Sequence, residues 1–65
     1  MTIAVLQYSP AEVDIITAPK DKMTEEEMDE FLFEHCGYNP SDISYMYNVN
    51  GDDLKVNYLT SEDFG

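Results

Sequence analysis

Between Thr24 and Gly37 the sequence marks a helix at both ends. Thr24 is a good N-cap, and Glu27 three residues later completes a capping box. Met23 before the cap and Met28 at the fourth helical position form a hydrophobic staple that fixes the angle at which the chain enters the helix. Glu25, Glu26 and Glu27 occupy the first turn, where the macrodipole favours negative charge. Met28, Phe31, Leu32 and His35 keep the i, i+3, i+4, i+7 spacing of one buried stripe, which predicts a helix over 25–36. Gly37 is the natural left-handed residue that stops it. In a Schellman ending Tyr38 and Phe33 are the pair that touch, which gives the off-stripe Phe33 a structural task. A helix with one buried stripe needs a second layer, and a chain of 65 residues has room for one core.

That second layer reads as strands. Asn50-Gly51 is a strong hairpin signal, with type I′ turn chemistry. A two-residue loop there sets Val49 opposite Asp52, Tyr47 opposite Leu54, Tyr45 opposite Val56 and Ile43 opposite Tyr58. The period-2 pattern then gathers the apolar and aromatic residues on one face, predicting strands over 43–49 and 52–59. Residues 2–8 also read as a strand. Residues 9–17 admit two readings. Ser9-Pro10-Ala11-Glu12 has the form of a helix start. The β-branched Val13, Ile15, Ile16 and Thr17, with Pro19 soon after, favour a hairpin instead. A loop over 9–12 places Tyr8 opposite Val13 and Leu6 opposite Ile15. The expected fold is a single α+β domain over 1–65 with two layers: an antiparallel sheet in the order ββαββ and one helix on one face.

Charge excludes more than it assigns. Asp and Glu number 14 against 3 lysines and no arginine, a formal net charge of −11. Lys20, Lys22 and Lys55 cannot build the basic patch that direct nucleic-acid binding requires. An anionic membrane surface would repel the chain, and no apolar run has the length of a membrane span. The N-terminal stretch lacks the basic segment of a signal peptide, and one cysteine cannot form an internal disulfide, so the expected compartment is a reducing cytoplasm. A domain this small has little material with which to line an enzyme-sized pocket, so a non-enzymatic role is expected, with a small enzyme in an oligomer as the distant alternative.

Individual motifs support no chemistry. Adjacent helical residues such as His35 and Cys36 do not face each other, which argues against a nucleophile and base. The expectation is a terminal imidazole and a small buried thiol. No spaced set of Cys and His offers a metal site. A calcium loop built on Gly51 would need ligands where Met46 and Asn57 stand. There is no phosphate-cradling glycine motif, so no cofactor and no catalytic residue is assigned.

The helix carries the sharpest expectation. Glu25–Asp29, Glu26–Glu30 and Glu30–Glu34 are like-charge i, i+4 pairs, each costing roughly 0.2–0.5 kcal/mol in an isolated helix. Glu26, Asp29, Glu30 and Glu34 should form its outer face, extended by Asp52 and Asp53 at the hairpin tip. Closely spaced carboxylates can imitate a phosphate backbone and dock on a basic, nucleic-acid-binding protein surface. Two other readings compete: solubility alone, and a small adaptor or homodimer that pairs through a sheet edge or the tyrosines Tyr8, Tyr38, Tyr45, Tyr47 and Tyr58.

Overall fold

The structure, a computed structural model, describes residues 1–64. Strand β1 (Thr2–Gln7) turns into β2 (Glu12–Thr17), α1 (Glu25–Asp29) continues directly as a π-helical segment (Glu30–His35), and β3 (Ile43–Tyr47) comes next. A short 3₁₀ turn (Ser61–Phe64) lies near the end. The three strands form an antiparallel sheet in the order β2-β1-β3 with the helix on one face, a small α+β domain.

The core sits where β1 meets the helix. Ile3 and Val5 project from one face of the sheet, Met28 and Leu32 from the helix, and all four are fully buried. Met1 and Ala18 close one end. Ile16, Ile43, Tyr45 and Tyr47 extend the same face toward its margins. Tyr45 and Tyr47 stack at 6.2 Å, and Phe33 meets Tyr45 edge-on at 6.3 Å.

The β1–β2 hairpin forms, with its register displaced by two residues from the expected one. Leu6 lies opposite Val13 and Ala4 opposite Ile15, so the loop is Tyr8 to Ala11 rather than 9–12. Ala11 closes that loop with a left-handed φ of 56°. The Tyr8 N–H donates to the carbonyl of Asp42, which ties the loop to the start of β3.

The second expected hairpin does not form. Residues 52–60 adopt no strand, and β3 pairs with β1, placing Tyr45 opposite Val5 instead of Val56. Two causes are visible. The turn is Asn48-Val49-Asn50-Gly51, one residue earlier than expected, closed by Gly51 N–H to the Asn48 carbonyl at 2.9 Å. The Asn48 side chain accepts from the Asn50 N–H, and Asn50 does not take the positive φ that a type I′ turn needs. The second cause is coverage. Three strands spaced by about 4.8 Å already match the roughly 10 Å width of one helix, so a fourth would bury little. The chain instead passes the start of β1, where the Leu54 N–H donates to Thr2 Oγ1 at 2.7 Å.

The helix starts as expected and ends differently. Thr24 Oγ1 accepts from the Glu27 N–H, and Glu27 Oε1 accepts from the Thr24 N–H. The last turns widen: Cys36 N–H reaches the Phe31 carbonyl and Tyr38 N–H the Leu32 carbonyl, each one residue farther back than a regular α-helical ending would take them. Gly37 does adopt φ 81°. Phe33 takes Tyr45 as its aromatic neighbour, and the Tyr38 hydroxyl donates to Asp14 at 2.7 Å. His35 leaves the buried stripe, is exposed, and stacks on Phe31 at 5.6 Å. Cys36, expected to be buried, is exposed as well.

Candidate acidic interaction face

The capping box and the dipole of α1 place Glu25, Glu26 and Glu27 at one end of the candidate face, and the π segment supplies Glu30 and Glu34. Glu26, Glu30 and Glu34 are exposed, as expected. No cationic side chain lies within ion-pair distance of any of these three among the described residues. The widened turns change their alignment. With i to i+5 hydrogen bonding, Glu30 and Glu34 no longer continue the straight i, i+4 row begun by Glu26.

Glu30 and Glu34 border two shallow grooves at once. One is lined on its apolar side by Pro19, Met23 and Phe31 and on its acidic side by Glu27, Glu30 and Glu34, with Lys20 and His35 also on its border. The other lies between Asp29, Phe33 and the same two glutamates. Met23 and Phe31 are half-buried contributors. Sequence reasoning assigns them to the staple and the buried stripe and misses their second role. The signal for it is helical spacing: Glu27 stands four residues after Met23, and Glu34 three residues after Phe31.

Glu27 is the neutralised member of the set. Its carboxylate accepts from Lys20, in an ion pair, and from the Thr24 N–H, and these contacts, Lys20 first, hold its pKa below the ordinary carboxylate value.

Two expected members stand elsewhere, and a third, Asp29, borders the second groove but is engaged by the sheet. Asp29 is half-buried and turned toward the sheet, where the Tyr45 hydroxyl donates to it at 2.8 Å. It shares that side of the helix with Phe33, four residues on, which also packs against Tyr45. Asp52 and Asp53 do not extend the helical face. They border a separate concavity with Asp21, Lys22 and the Met1 amino group, which lies 3.5 Å from Asp21 and 3.6 Å from Asp53. Neither groove of the helix includes them.

The remaining polar groups serve the fold. Asp14, which sequence reasoning does not single out, sits on the helix-facing side of β2 and accepts from Gln7 Nε2 at 2.6 Å and from the Tyr38 hydroxyl. Burial, and then the hydrogen bonds to Asp14 and Asp29, push the phenols of Tyr38 and Tyr45 up to about 12. Of the five tyrosines, Tyr8 and Tyr58 are exposed, while Tyr38, Tyr45 and Tyr47 are half-buried against the core. Desolvation lifts the Cys36 thiol above its ordinary value, which lowers its thiolate fraction and its reactivity. Among the described residues no group of three or more His, Cys, Asp or Glu is placed to hold a metal ion, and no helix is long and apolar enough to cross a membrane.

No protein family, curated protein or solved structure shows significant similarity to this chain.

Proposed function

We propose that this protein is a small, non-enzymatic, acidic binding module of the cytoplasm that docks through its helix on a basic protein surface, competing there with nucleic acid. The observation that carries the reading is the position of Glu30 and Glu34. Both are exposed, neither has a cationic partner among the described residues, and both border grooves with aromatic walls, Phe31 on one side and Phe33 on the other. An arginine or lysine side chain from a partner would lay its aliphatic stem along such a wall and its charged head on the carboxylates. Like-charge repulsion along the helix is a standing cost that a basic partner would relieve.

The test is a variant with Glu26→Gln, Glu30→Gln and Glu34→Gln. Proteins captured at low salt would be identified, and wild type would be titrated against each captured protein bound to labelled DNA. DNA displacement that weakens steeply with salt is expected from wild type, and none from the variant. The variant should also melt slightly higher, because repulsion is relieved. A more stable variant that still displaces DNA would assign the acidity to solubility.

A further inference from the structure

Among the described residues, no layer covers the face of the sheet turned away from the helix, apart from Leu54, whose N–H reaches Thr2 Oγ1 at one end. Alternation along the strands puts Thr2, Ala4 and Leu6 of β1, Val13, Ile15 and Thr17 of β2, and Ser44 and Met46 of β3 on it. Leu6 is 43% exposed, Val13 61%, Ile15 46% and Met46 59%. The Cα envelope is only 14 Å thick, which fits two layers and leaves no space for a third.

This face carries no charged residue, in a chain where 26% of residues are charged. The acidic residues of β2, Glu12 and Asp14, lie on the helix side, opposite Gln7 and Val5. The glutamates of α1 and the π segment are farther out on that same side. A basic partner therefore finds nothing to pair with on the bare face. A second copy of the chain does not meet a wall of like charge there, because stacking two sheets back to back turns both acidic helices outward.

We infer that this protein forms a homodimer by packing the uncovered faces of two sheets against each other, giving a helix–sheet–sheet–helix sandwich. The dimer is independent of acidic docking and stands if the helix binds nothing. The contact is modest. Three strands of about six residues present a footprint of roughly 20 by 14 Å, or about 300 Å² on each side. That is below the roughly 800 Å² per partner of a standard interface. The segment after the Asn48–Gly51 turn adds further exposed apolar residues near the Thr2 end of the face. It passes the start of β1, held by Leu54 N–H on Thr2 Oγ1, and its Val56, Tyr58 and Leu59 are exposed. With −11 on each subunit, the dimer should tighten as salt rises.

The experiment is sedimentation equilibrium of the full chain under reducing conditions, at concentrations up to about 1 mM and at about 0.05 and 0.5 M salt. Wild type should dimerise reversibly, at least about fivefold more tightly at the higher salt. Val13→Lys and Met46→Lys sit on different strands of the face and outside the core. Each should weaken the dimer by about tenfold or more, through burial of an unpaired charge. Circular dichroism establishes that a variant is folded, and the second variant keeps the test decisive if the first is not. Glu30→Gln should leave the dimer in place. Filtered NOEs between labelled and unlabelled copies should join methyl groups of Leu6, Val13, Ile15 and Met46. A monomer under every condition would overturn the inference. So would a dimer indifferent to both lysine variants, or one without those NOEs, as expected if the chain's own C-terminal segment or a different surface fills the role.

Discussion

The Tyr45 hydroxyl donates a 2.8 Å hydrogen bond to the carboxylate of Asp29, joining the outer strand of the sheet to the first turns of the helix. The Tyr38 hydroxyl makes the corresponding bond to Asp14 on the opposite strand. Two phenols therefore brace the helix and the chain that leaves it against both sheet margins. Tyr45→Phe keeps the aromatic packing and removes the bond, and should cost about 1 kcal/mol in urea denaturation.

The same bonds predict alkaline behaviour. In the folded state Tyr38 and Tyr45 hold their protons up to about pH 12, against an ordinary value of 10.0. Between those two values the unfolded chain releases protons that the folded chain retains. Stability from these groups is thus fully present below pH 10 and is lost as pH rises toward about 12. Denaturation midpoints measured from pH 8 upward should fall over that window. In the Tyr38→Phe, Tyr45→Phe double variant the fall should be visibly shallower.

Thr24→Ala removes the acceptor of the Glu27 N–H and should destabilise by about 1 kcal/mol. Thr24→Ser, which keeps the oxygen, should melt close to wild type. Equal melting of all three proteins would mean that the capping box contributes nothing.

The two internal glycines should respond unequally to alanine. At Gly37 a Cβ meets nothing within 4 Å, so only the left-handed φ resists, at a cost of about 1 kcal/mol. At Gly51 a Cβ would come within 2.3 Å of the Asp21 carbonyl oxygen, a backbone atom that cannot rotate aside. Gly51→Ala must move the turn off residues 21–22 and should lose well over the Gly37→Ala cost, read from paired thermal melts.

Ala11 offers the opposite sign. It holds a left-handed φ of 56°, which costs a non-glycine residue roughly 1–2 kcal/mol. Ala11→Gly should therefore raise stability by up to about 1 kcal/mol after the added unfolded-state entropy is counted. A lower melting temperature would contradict it.

How far the sequence could be read depended on how local each interaction was. The helix start was legible because Thr24, Glu27, Met23 and Met28 act on one another within a single turn. The α+β class came from one amphipathic stripe beside alternating strands. The partner of β3 was not legible. Asn50-Gly51 suggests a hairpin, while Asn48 uses its own side chain to shift the turn by one residue, and the width of the helix favours three strands over four. The widened helical turns leave no local mark, so regular helical spacing puts His35 and Cys36 inside, where the structure has both exposed. Within the acidic face, Glu26, Glu30 and Glu34 were exposed as helical spacing implies. Asp29 was lost to the sheet, and the clue was Phe33 four residues later, an aromatic side chain that needed cover on that side.

The outer strand β3 ends the sheet with a free row of backbone donors and acceptors, and its five residues, Ile-Ser-Tyr-Met-Tyr, carry no charge of their own. Nothing in that strand resists growth by another chain; the resistance comes from the acidity of the rest of the molecule. It is therefore conditional on pH. As the solution approaches the isoelectric point near 4.1, the repulsion between molecules vanishes while the strand is unchanged. Acidification should therefore favour edge-to-edge association of molecules through this strand, so storage and handling of this protein should stay well above that point.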